Sequence, residues 1–141
     1  MRWAALLLGA TATLNAFHVR ADPAGRPRGQ RLDWAFMLAL DVQVLFGLLL
    51  YFGLSPFTSA AMSNMGIALR DPALRFWALT HVATMLVALV AVRAGRVLAM
   101  GEPTSRARRN GRYLCFAIAL LVMMAGVPWP GLAYARPLFR F

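Results

Sequence analysis

The sequence predicts an all-α fold, an integral membrane bundle of four helices with both termini on the outer, periplasmic side. Three observations carry that prediction. Of 141 residues, 60% are apolar and 14% charged, with a mean hydropathy of +0.60; soluble domains carry roughly a quarter charged residues. The apolar residues gather into four runs near the length of a membrane span, about 17–25 residues. Fifteen arginines, with no lysine, cluster between those runs. The same composition excludes a disordered chain. The length allows a single domain over 1–141. A net charge of +10 on a soluble protein would suggest nucleic acid. Set beside apolar runs it reads instead as charge flanking membrane helices, with no nucleic-acid partner.

Helices are expected over about 3–19, 32–52, 73–95 and 111–127, together one transmembrane domain. The first run, Trp3–Val19, is interrupted by Thr11, Thr13, Asn15 and His18. A cleaved signal peptide is its rival reading, but Val19-Arg20-Ala21 is a poor cleavage site. Asp22 to Gly29 is a solvated Pro/Gly/Arg turn. The second run, Leu32–Phe52, contains Asp41 and Gln43. In the following outer segment, Thr58–Leu69 is expected as a short interfacial helix. Asp71 should cap the third helix with Pro72 in its first position. That run, Ala73–Val92, contains Arg75, Thr80 and His81. The fourth, Tyr113–Val127, is stopped by Val127-Pro-Trp-Pro-Gly131. No long series of short alternating segments marks a closed barrel.

Ten arginines fall after the first and third runs, against five elsewhere. The positive-inside rule places the ten in the cytoplasm and makes the chain a multi-pass protein of a bacterial inner membrane. Trp3, Trp77 and Trp129 then lie near the outer interface and Trp34 near the inner one. Arg26, Arg28, Arg106, Arg108 and Arg109 are the expected contacts to lipid headgroups.

An ionisable group at bilayer depth needs a partner or a purpose. Asp41 is central in its run, and His81 lies about four residues, or about 6 Å, from it in depth. They could form a proton-relaying or ligand-orienting pair. Alternatively Asp41 is a protonated structural group inside the bundle, with Gln43, Asn15 and Thr80 as further structural polar residues. His81 could bond a neighbouring helix, ligate a chlorophyll-type pigment metal, or share a haem with another chain. His18 is about 12 Å away in height, so the two histidines cannot clamp one haem and no cofactor is expected within the isolated chain. Small residues form stripes at Ala5, Gly9 and Thr13, and at His81, Thr84, Ala88, Ala91 and Gly95, which favour close helix packing. Cys115 has no activating neighbour and reads as inert. No nucleotide-binding glycine pattern and no metal-spaced Cys/His set is present.

The stretches Asp41-Val-Gln-Val-Leu-Phe-Gly-Leu-Leu-Leu-Tyr-Phe52, Leu74-Arg-Phe-Trp-Ala-Leu-Thr-His81 and Ala125-Gly-Val-Pro-Trp-Pro130 resemble small bacterial four-helix membrane proteins loosely labelled cytochrome b-like. Members of that group tend to carry a histidine where Asp41 stands, Glu-His-Pro where this chain has Thr80-His81-Val82, and another histidine ahead of the Arg-Trp matching Arg2-Trp3. The chain keeps one of the three histidine positions. The resemblance implies a b-type haem or quinone-reactive electron-transfer subunit. The residues themselves favour a non-catalytic accessory subunit of a larger respiratory or photosynthetic membrane complex, with lipid and other subunits as partners. A small proton-conducting or transport protein using Asp41 is the third reading.

Overall fold

The computed structural model describes residues 2–21, 29–100 and 105–131. Among them the regular structure is helical: α1 (Arg2–Ala21), α2 (Gln30–Gly53), α3 (Pro56–Ser63), α4 (Met65–Arg70), α5 (Pro72–Arg75), α6 (His81–Met100) and α7 (Arg106–Ala125). One π-helical turn, Phe76–Thr80, joins α5 to α6, so that Pro72–Met100 forms one rod. That rod and α2 are long and apolar enough to cross a membrane; the apolar part of α1, Trp3–Val19, is shorter. The first turns of α7 carry Arg106, Arg108, Arg109 and Arg112, and its apolar part begins only at Tyr113. The expected third and fourth helices are therefore longer than their apolar runs, because arginine is a good helix former and does not end a helix.

The long helices pack in a ring, α1 on α2, α2 on α6, α6 on α7 and α7 on α1. Neighbours run antiparallel: Gly9 lies by Leu120, and Phe17 by Tyr113. The bundle interior follows from one repeating spacing. Ala5, Ala12 and Ala16 face inward from α1, as do Phe36, Leu40 and Val44 from α2, Met85, Ala88 and Val92 from α6, and Phe116, Ala119 and Met123 from α7. Steps of three and four residues keep each seam on one helix face, as in other bundles. The first small-residue stripe runs on through Ala12 and Ala16 and leaves Thr13 half-buried, where its hydroxyl donates to the Gly9 carbonyl at 2.7 Å.

Size alternates across the interior. Phe36 and Phe116 meet edge to face across the diagonal, with centroids 5.7 Å apart at 83°. Each ring needs a glycine beneath it. A β-carbon on Gly9 would stand 2.9 Å from Phe36, and one on Gly95 2.7 Å from Phe116. Outside the seams the side chains are apolar and exposed, among them Leu7, Leu14, Leu49, Val90, Ile118 and Leu121.

The expected interfacial helix is two, because Asn64 breaks it: its side chain caps α4 by accepting from Ile67 N–H at 3.1 Å. Asp71 caps α5, accepting from Leu74 N–H at 2.8 Å, with Pro72 in the first turn. The last helix ends at Ala125, with Gly126 as its cap.

Candidate ligand cleft and ion pair on the α2–α6 face

The π turn sets the position of His81. Its N–H reaches back five residues to the Phe76 carbonyl, and Thr80 Oγ1 donates to the Arg75 carbonyl at 3.4 Å. A π turn displaces the regular carbonyl pattern, and Tyr51 of α2 takes up one of these groups, its hydroxyl donating to the Ala78 carbonyl at 2.9 Å. Phe76 and Trp77 flank the imidazole, with ring centroids 5.9 and 5.5 Å from it.

His81 Nδ1 lies 2.8 Å from the carbonyl oxygen of Gly126. A carbonyl can only accept, so Nδ1 carries a proton, and in the neutral imidazole Nε2 keeps its lone pair. Close approach of the α7 cap to α6 makes this bond possible: a β-carbon on Gly126 would stand 2.6 Å from Thr84 Oγ1. Bonding to a neighbouring helix, one of the roles expected for His81, is present, with a backbone carbonyl as its partner.

A cleft of about 340 Å³ opens between α2, α3 and α6, lined by Gln43, Gly47, Tyr51, Phe57, Trp77 and His81 among others. A smaller one of about 170 Å³ lies toward the end of α7 and shares Gln43, Trp77, His81 and Met85 as its wall. Gln43 Oε1 is buried without a hydrogen-bond partner. The larger cleft has about twice the volume of a cavity that takes up benzene, about 150 Å³.

Asp41 lies elsewhere. Its partner is Arg93 of α6, Nη2 to Oδ1 at 2.9 Å, with the side chains 56% (Arg93) and 27% (Asp41) exposed. Arg93 sits on its helix about twelve residues, or about 18 Å, beyond His81. The expected Asp41–His81 pair and the protonated interior Asp41 are thus both replaced by an ion pair open to the outside of the bundle. The apolar run ends at Val92, so Arg93 reads as a flank in the sequence; the helix carries it alongside the middle of α2. Thr80 serves the π turn, and Asn15 packs against Gly29, where φ is +94° and a β-carbon would collide with its amide.

His18 stands at the opposite end from His81. Its neighbour Phe17 touches Tyr113, about thirteen residues, or about 20 Å, along α7 from Gly126. The residues present do not fit a haem held by both histidines. Among the described residues no three of His, Cys, Asp or Glu gather at one point. Arg106 and Arg108 are exposed and Arg109 half-buried; Arg26 and Arg28 lie outside the described residues.

Sequence reasoning missed Asp33. It is fully buried, and Arg112 Nη2 donates to its Oδ1 at 2.6 Å. Only the coincidence of an acid at one helix start and an arginine at another could have hinted at this pair. Comparison with protein-family models, curated proteins and solved structures finds no match to this chain.

Proposed function

We propose that the chain is a multi-pass membrane subunit without a reaction of its own, docked through its α2–α6 face into a larger bioenergetic assembly. The observation that carries this reading is the Asp41–Arg93 pair. It lies beside the middle of α2, one of the two helices long and apolar enough to cross a membrane. Hydrocarbon would leave the open edges of both ions unsolvated, at a cost of several kcal/mol. Polar groups of a neighbouring subunit would solvate them. The exposed leucines and valines around the bundle suit lipid and apolar helices alike. Of the described arginines, seven (20, 31, 96, 106, 108, 109 and 112) lie toward one end of the bundle and three (2, 70 and 75) at the other, an asymmetry that under the positive-inside rule favours termini on the outer side. A photoreactive residue at Leu86, on the docking face, should crosslink in cells to one defined protein. The same residue at Leu121, on α7, should crosslink to lipid. Equal protein crosslinking at both positions would contradict the reading.

A second reading rests on the cleft. His81 Nε2 and the Gln43 amide supply two polar groups beside Trp77 and Phe57. That combination suits a lipid-soluble ring bearing oxygen substituents, of the quinone class. Solvent extraction of the purified protein should then yield about one such molecule per chain, and His81→Leu should remove it. A Soret band in the extracted material would favour shared haem ligation by His81 instead.

A further inference from the structure

Among the described residues, the arginine-rich end of the bundle carries several arginines and one acid, Asp33. Asp33 is 0% exposed and Arg112 7%, and they pair across the bundle diagonal, from α2 to α7. Arg96 of α6 stands within electrostatic range of the same carboxylate. Two guanidinium groups thus stand near one carboxylate, which is bonded by Arg112. Arg112 Nε, Arg96 Nη1 and the second carboxylate oxygen, Asp33 Oδ2, are all buried and lack hydrogen-bond partners. A buried guanidinium N–H left unbonded is costly, and an excess buried cation more so. Arg96 is only half-buried, so the cluster meets the surface along that side chain.

We infer that Arg96 and Arg112 form a phosphate site that takes the headgroup of one anionic phospholipid. The phosphate supplies a second negative charge and acceptors for the two unbonded guanidinium donors, in the fork geometry that guanidinium groups favour. Lipid is the source that the surroundings match. Val97 of α6 and Leu114 of α7 are exposed apolar side chains close by in sequence, and they offer a path for the acyl chains. This lipid source rests on the membrane reading given above. The site differs from the general attraction of exposed Arg106 and Arg108 to a charged surface, because its donors are buried and fixed in place.

The test reconstitutes the full chain into nanodiscs of phosphatidylcholine, with and without phosphatidylglycerol, and reads lipid retention by native mass spectrometry and the thermal midpoint. One phosphatidylglycerol should stay with each chain and raise the midpoint. Arg96→Gln should weaken retention about tenfold or more, as expected for loss of a charge-assisted bond. Arg96→Lys, which keeps the charge and loses the fork, should also weaken it. Arg108→Gln, which removes an exposed charge, should leave it unchanged. Equal losses in Arg96→Gln and Arg108→Gln would overturn the site in favour of diffuse attraction. Equal stabilisation by inorganic phosphate in phosphatidylcholine discs would overturn the lipid as the occupant. A chain that stays dispersed without detergent and does not enter nanodiscs would overturn the membrane reading, and the lipid source with it.

Discussion

Arg112 and Asp33 meet across the diagonal of the bundle, 2.6 Å apart, with their side chains 8% and 0% exposed. The helices that carry them are not neighbours in the ring of long helices, so the pair fixes the rotation of both about their axes. Removing one partner would strand the other charge in the interior. Asp33→Leu or Arg112→Met should each destabilise the fold by about 3–5 kcal/mol. The double variant should recover most of that loss, since the unpaired ion is gone. Thermal unfolding in detergent measures this; additive losses in the double variant would mean that the pair is not coupled.

Gly95→Ala should destabilise by about 1–3 kcal/mol, because its β-carbon would stand 2.7 Å from the Phe116 ring. Shrinking that ring should compensate. Gly95→Ala combined with Phe116→Leu is therefore expected to unfold at a higher temperature than Gly95→Ala alone. If it unfolds lower, the clash is relieved elsewhere.

The helices, the Asp71–Pro72 start and the small-residue faces were legible in the sequence because each depends on local chemistry or on spacing along one helix. The partners of the polar groups were not. Asp33 sits one residue inside an apolar run, beside Trp34, and its pairing with Arg112 depends on how α2 and α7 are rotated toward each other. His81 bonds a backbone carbonyl, which has no residue signature. The π turn before it likewise leaves no mark in the sequence, yet it sets the direction of the imidazole. Asp41 was placed correctly in its helix but given the wrong partner, because hydrophobicity fell at Arg93 while the helix continued.

Topology can be read from single cysteines in a Cys115→Ser background. Ser59→Cys, on exposed α3, should react with a membrane-impermeant maleimide in intact cells. Arg108→Cys, exposed on α7, should react only after permeabilisation. Labelling of position 108 in intact cells would reverse the orientation.

The claim that the α2–α6 face docks into a larger assembly is tested most directly by the size of the solubilised particle. Replacing both ions, Asp41→Leu with Arg93→Leu, removes the open pair without leaving a lone charge. Because the pair is partly exposed, the chain itself should lose only about 1 kcal/mol or less of stability. Sedimentation in mild detergent should find the wild-type chain in a particle several times its own 15.5 kDa, and the double variant as a folded, free chain. A wild-type chain that sediments alone, or a double variant that stays in the large particle, would contradict the account.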